Sequence, residues 1–267
     1  MTALLRITDL HLSLPDLNRK PILGAAPRIH ILKGVDFAIA KGEIVGIVGG
    51  SGSGKSTLAR TLVRLLEPTS GTVHFDGQDI SHLPERALRP LRRRFQMIFQ
   101  DPMSSLNPRH TVAQIIEGPL ALHGVANPAD RMREALDAVG LGQRFATRHP
   151  HEMSGGQRQR VGIARAIALR PDFIVADEIV SGLDVSSQAQ VLTLLERLVA
   201  DLGLTLAFIS HDLSVIRRLC NRIIVLDKGV IVENAPSAEV FESPKAAATR
   251  ELLASILLPE VGPDWQS

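Results

Sequence analysis

Three groups of residues have the types and spacing to do chemistry. The first is Gly49-Gly50-Ser51-Gly52-Ser53-Gly54-Lys55-Ser56, which fits the pattern G-x-x-x-x-G-K-[ST]. Glycine lacks a Cβ and adopts positive φ. A run rich in it lets the backbone wrap an anion closely and aim several N–H groups at it. Lys55 adds a mobile charge suited to the β- and γ-phosphates, and the Ser56 hydroxyl is a hard oxygen ligand for Mg²⁺. Thr57 carries the segment into a helix whose positive end favours the same anion. Read alone, Gly49–Gly54 would also pass for a flexible linker, since it holds only Gly and Ser. A buried strand before it and an apolar-faced helix after it favour a nucleotide site.

The second group is Asp177-Glu178, at the end of the apolar run Phe173-Ile174-Val175-Ala176. In a chain with a phosphate loop, Asp177 suits a role holding Mg²⁺ through its water shell. Glu178 suits a general base that polarises the attacking water, an effect typically worth ~10²–10⁴-fold. The third group is Ser154-Gly155-Gly156-Gln157, followed by a helical stretch Val161–Leu169. A hydroxyl and glycine N–H groups at a helix N-terminus make a second anion site. Two half-sites for one γ-phosphate in a single chain imply that two chains close on shared ATP.

These residues need elements to place them. Leu5–Leu14 and Val35–Ala40 alternate as strands, with a loop expected over Asn18 to Arg28. Glu43–Val48 is nearly all apolar, the mark of a strand buried on both faces of a parallel sheet. Helical spacing is expected over Thr57–Leu66, then strands at Thr72–Phe75 and Gln96–Phe99. A mainly helical block follows from Asp101 to Leu169. Strand Phe173–Ala176, helix Val185–Leu202, strand Leu204–Ile209, helix Leu213–Leu219, strands Arg222–Leu226 and Val230–Val232, and two terminal helices complete the pattern. Strands alternating with helices predict an α/β domain with a helical insertion. Residues 1–260 are read as one domain: an α/β core over 5–100 and 170–235, a helical subdomain over 101–169, and C-terminal helices over 236–258. A tail follows at 261–267.

The formal charge of +2 argues against a nucleic-acid binder held by bulk charge. Arg92-Arg93-Arg94 has no interleaved aromatics and is read as a solvated helix face. The single cysteine, Cys220, excludes an intramolecular disulfide and a cysteine-only metal cage. No apolar run reaches the ~18–20 residues that cross a bilayer, and Met1–Leu14 reads as a strand and not a signal peptide. A role at a membrane would therefore require docking onto other subunits. The histidines show no zinc spacing; His149 and His151 flank a proline beside the Ser154 turn.

With these three groups in order, the chain resembles an ABC transporter ATPase over roughly Leu5 to Leu258. The resemblance implies an α/β P-loop fold with a mixed sheet core, an N-terminal antiparallel β subdomain and an inserted helical subdomain. It implies MgATP as the substrate complex. It gives Gln100 the place of the Q-loop glutamine, which touches Mg²⁺ or the lytic water. It gives His211 the place of the switch histidine, and Ser181-Gly182-Leu183-Asp184 the place of the D-loop facing the opposite subunit. Phe99-Gln100-Asp101-Pro102-Met103-Ser104-Ser105-Leu106-Asn107-Pro108-Arg109 and the tail Ser243-Pro244 to Leu253 are similar to dipeptide, oligopeptide and nickel importers. Such importers pair two different ATPases, of which this chain resembles the second, beneath two multispan permease subunits, with an extracytoplasmic solute-binding protein, and sit at the cytoplasmic face of the inner membrane. The alternative is an accessory ATPase of a soluble complex such as a carbon–phosphorus lyase system.

Three positions depart from the family pattern. Ile179 stands where proline is usual, so the D-loop loses a fixed φ. Gly50 stands where the subfamily often has Glu. The chain has no tyrosine, and Leu14 falls where an aromatic usually stacks on adenine. Such stacking is worth only ~0.5–1.5 kcal/mol, so the expectation is retained hydrolysis with modest adenine discrimination. His30 is read as an ordinary loop-to-strand histidine.

Overall fold

Two β-layers of opposite character organise the chain, in a computed structural model that describes residues 3–16, 19, 24 and 26–255. The strands are β1 (Ala3–Pro15), β2 (Arg28–Ala40), β3 (Ile44–Val48), β4 (Ser70–Phe75), β5 (Gln78–Asp79), β6 (Phe95–Ile98), β7 (Phe173–Asp177), β8 (Thr205–Ile209), β9 (Arg222–Asp227) and β10 (Val230–Pro236). The first layer is antiparallel, ordered β2-β1-β4-β5, and its long strands alternate buried and exposed residues. The second is ordered β10-β9-β3-β8-β7-β6; all its pairs are parallel except β10 with β9.

Near-continuous apolar strands are needed in this second sheet because both of its faces are covered. Along β7, Phe173 and Val175 join the core beneath the antiparallel sheet, while Ile174 and Ala176 join the core beneath the helical block. β8 divides in the same way, with Ala207 and Ile209 on one side and Leu206 and Phe208 on the other. This is the period-2 geometry of a strand between two cores. The parallel direction puts the C-terminal ends of β3, β6, β7 and β8 on one edge, the usual place for ligands in such sheets.

The helices are α1 (Lys55–Leu62), α2 (Glu85–Arg92), α3 (Pro102–Ser105), α4 (Val112–Leu122), α5 (Pro128–Ala138), α6 (Gly155–Ile167), α7 (Val185–Leu202), α8 (Leu213–Leu219), α9 (Ser237–Glu242) and α10 (Ala247–Ala254). The helical block between β6 and β7 starts each main helix with an identifiable device. Thr111 and Gln114 form a reciprocal capping box on α4, and Pro128 opens α5.

Two local expectations need correction. The first helix stops at Leu62 and does not reach Leu66, because Arg64 adopts a φ of 52° and turns inward to donate to the carbonyl of Ile80 at 2.7 Å. The arginine run is not a solvated helix face. α2 ends at Arg92, which pairs with Glu85 at 2.6 Å, and Arg94 beyond it bridges Asp76 and Asp172 at 2.6 Å each. Composition alone did not reveal that carboxylates from two distant turns would converge there. The expected tail at 261–267, the end of the terminal helices at 256–258 and most of the loop at 18–28 lie outside the described residues.

Candidate functional site

β3 delivers the phosphate loop from the middle of the parallel sheet, between β8 and β9. Gly49 leaves the strand at φ 154°, and a Cβ there would lie 2.1 Å from the carbonyl oxygen of Leu226. Gly54 caps α1 in the left-handed region at φ 106°. These two positions require glycine; Gly50 has open space around it and does not. Gly49, Ser51, Gly52, Gly54, Lys55, Ser56 and Thr57 line a cleft of about 580 Å³ together with Ile31, Glu178 and His211. Gly50 and Ser53 belong to the loop without lining that cleft. Lys55 Nζ donates to the carbonyls of Gly49 and Gly50 at 2.8 and 2.9 Å. Burial holds its pKa below the ordinary lysine value, against the pull of Glu178 and Asp177. The Ser53 hydroxyl is buried with no hydrogen-bond partner.

β7 delivers the two carboxylates into different surroundings. Asp177 is buried, and the Ser56 hydroxyl donates to its Oδ1 at 3.3 Å. Burial raises its pKa, an arrangement that invites a cation. The hydroxyl of Ser56 and the carboxylate of Asp177 are hard oxygen donors placed side by side, the donor chemistry that Mg²⁺ prefers. Glu178 turns out of the strand at φ 50°, its N–H held by the Ile209 carbonyl at 2.9 Å. Its carboxylate is where the three candidate catalytic residues meet. Gln100 Nε2 donates to Glu178 Oε2 at 2.9 Å, and His211 Nδ1 lies 3.5 Å from the same oxygen. Gln100 follows β6 and His211 follows β8, so adjacent parallel strands bring together residues far apart in sequence.

The second candidate anion site stands apart. Ser154 caps α6, its hydroxyl accepting from Gln157 N at 3.3 Å while Gln157 Oε1 accepts from Ser154 N at 3.0 Å. Ser154, Gly156 and Gln157 line a separate cavity of about 260 Å³ with Arg144, Arg160 and Ser187. No residue lines both this cavity and the phosphate cleft. Gly156 lets α7 approach, since a Cβ there would meet Ser187 Oγ at 3.2 Å; one at Gly155 would make ordinary contact with Leu183 at 3.4 Å. Asp184 caps α7, accepting from Ser187 N at 2.9 Å, and lines neither cavity. At the departure from the family pattern, Ile179 and Val180 are buried at 1% and 4% exposure, so packing holds a segment that lacks the fixed φ of proline.

The phosphate-loop-to-Walker-B stretch also carries a family signature. Residues 32–181 match the family model described as ABC transporter. The chain belongs to the ABC transporter family. A putative peptide import ATP-binding protein of Brucella ovis is 52% identical over 87% of this chain and 74% of its own length. The oligopeptide transport ATP-binding protein AppF of Bacillus subtilis is 49% identical over 85% of this chain and 70% of its own. Among solved structures, the ATP-binding cassette MJ0796 in a dimeric post-hydrolysis state with ADP and Pi superposes with a TM-score of 0.76. It is 31% identical, covering 87% of this chain and 98% of that one.

The chain is thus an ABC cassette that hydrolyses ATP. Sequence reasoning missed one residue of the cassette's cleft. Ile31 comes from the first half of β2, upstream of the strand expected at Val35–Ala40, and no spacing rule ties it to the loop.

Proposed function

We propose that the cassette powers import of peptides or related small solutes. In this reading it is one of two ATPases beneath two multispan permease subunits, fed by an extracytoplasmic solute-binding protein, at the cytoplasmic face of the inner membrane. The observation that carries the catalytic part is the convergence of Gln100 and His211 on Glu178 Oε2 at the mouth of the phosphate cleft. The names of the relatives support the cargo class, and they favour import over the accessory-enzyme alternative.

The loop N–H groups and Lys55 bind and orient the polyphosphate. Ser56 and Asp177 would hold Mg²⁺, with Gln100 beside them. When bound, the ion neutralises charge on the phosphate oxygens. Gln100 holds one oxygen of Glu178 with His211 close by, which leaves Oε1 to take a proton from the attacking water as general base. His211 also faces the cleft, where it can sense the terminal phosphate. Ser154, Gly155, Gly156 and Gln157 of one cassette, with Asp184 beside them, would complete the phosphate site of the opposing one.

Glu178→Gln should retain MgATP binding and lose about 10²–10⁴-fold in kcat; unchanged turnover would remove Glu178 from the role of base. For the transport assignment, the chain should copurify with multispan permeases, and binding protein with peptide should stimulate hydrolysis in proteoliposomes. Copurification with soluble phosphonate-processing subunits would carry the alternative instead.

A further inference from the structure

Arg165 is a largely buried cation on α6, set among Ile163, Ala164, Ala166 and Ile167, which are all in the core. Burial pulls its pKa below the ordinary arginine value, and no carboxylate among the described residues offsets that pull. It lines a cavity of about 290 Å³ with Phe95, Met97, Phe99 and Pro119. Arg92, on the same cavity, is a second cation and is paired with Glu85. Taking a charge out of water with no opposite charge nearby is costly, so packing alone would favour an aliphatic side chain at position 165. What the guanidinium does hold is a backbone carbonyl. Arg165 Nη1 donates to the oxygen of Ser105 at 2.6 Å. Ser105 ends α3, a single turn too short to give its last carbonyls a partner of their own.

That turn begins two residues after Gln100. The Asp101 carboxylate accepts from Met103 N at 2.8 Å and Ser104 N at 3.2 Å, and the Ser104 hydroxyl donates to the Asp101 carbonyl at 3.0 Å. Gln100 is thus continuous with a tightly capped turn, and Arg165 fastens the far end of that turn to α6. On its other side Gln100 Nε2 donates to Glu178 Oε2. We propose that Arg165 is a positioning residue for hydrolysis: its hold on the Ser105 carbonyl keeps Gln100 against Glu178. The inference rests on the reading of Glu178 as the base with Gln100 beside it. Misplacement of a group by about 1 Å at a reacting centre can cost about 10²-fold in rate, so a loosened α3 is felt in turnover. It is not felt in MgATP binding, because Arg165 does not line the phosphate cleft.

The test is a double-mutant cycle read by steady-state MgATP hydrolysis of the full chain in its native complex. Arg165→Met keeps the apolar stem and removes the donors. It should lower kcat by about 10–100-fold and leave the KM for ATP within about twofold. Gln100→Ala should lose a similar factor, and the double variant should be no slower than the slower single one, since both changes break one contact. Arg165→Lys keeps one donor on a shorter reach and should lose only about threefold. Amide exchange at Ser105 and Leu106 should quicken in Arg165→Met while α4 exchanges at the parental rate. Parental turnover in Arg165→Met overturns the inference, as does a KM that rises as far as kcat falls, or losses that multiply in the double variant. If Arg165→Met does not fold, Arg165→Lys carries the same cycle: a loss that vanishes in the Gln100→Ala background supports the inference, and an absent loss or one that persists there overturns it. Parental turnover in Gln100→Ala instead removes the underlying reading of the Gln100–Glu178 contact.

Discussion

Gly49 and Gly50 are neighbours of one residue type under opposite constraints. Gly49 has a φ of 154°, and a side chain there would strike the Leu226 carbonyl; Gly50 faces open space. Gly49→Ala should therefore destabilise the fold by more than about 2 kcal/mol, through strain and backbone clash. Gly50→Ala should stay within about 0.5 kcal/mol. Thermal unfolding of the two variants side by side checks this, and equal losses would contradict the assigned geometry. The motif spelling made both positions look equivalent. Only the packing of the loop on β9 separates them, because the clash is with a residue that the sequence places far away.

At the level of elements, a carboxylate ties the last helix to the sheet. Glu233 on β10 is 7% exposed and accepts from the N–H groups of Lys245 at 3.0 Å and Ala246 at 3.1 Å, at the start of α10. Burial would raise its pKa, but those N–H groups, the Thr249 hydroxyl and the nearby Lys245 charge outweigh it and hold the carboxyl below its ordinary value of 4.5. A depressed folded-state pKa means that the ionised group stabilises the fold. That contribution is complete above the ordinary value and is lost as pH falls through the lower, folded-state one. Glu233→Ala should cost about 1–2 kcal/mol at pH 7, as a lost helix cap does. Its deficit should shrink as pH falls below 4.5. Melting curves across that range, with hydrogen exchange in α10, provide the measurement. The two terminal helices were legible as helical pattern; the anchor of the last was not, since nothing in the spacing links position 233 to position 245.

For the whole molecule, the decisive feature is the separation of two candidate anion sites in one chain. The phosphate cleft and the Ser154–Gln157 cavity share no lining residue, which fits the reading that an ATP held between two such half-sites joins two protomers. If the partner is a second copy, Lys55→Ala and Gly156→Asp proteins should each be inactive alone. Mixed, each pair of unlike protomers keeps one composite site with an intact loop and an intact Ser154 turn. The mixture should regain roughly a quarter to a half of parental ATPase activity, because about half of the dimers form as unlike pairs. No recovery, with both proteins folded, would exclude self-pairing and point to a different ATPase as partner.

The sequence by itself determined the class of chemistry and most of the elements. Local rules govern both: glycine spacing shapes an anion loop, apolar runs become buried strands, and Ser154 with two glycines opens a helix. The boundaries of α7 and α8 were legible for the same reason. Tertiary structure alone decided the meeting of Gln100, Glu178 and His211 on one oxygen, the bridge from Arg94 to Asp76 and Asp172, and the placing of Ile31 on the wall of the cleft. Those contacts depend on which strands lie side by side. Strand order is set by the packing of two cores against one sheet, and no local pattern encodes it.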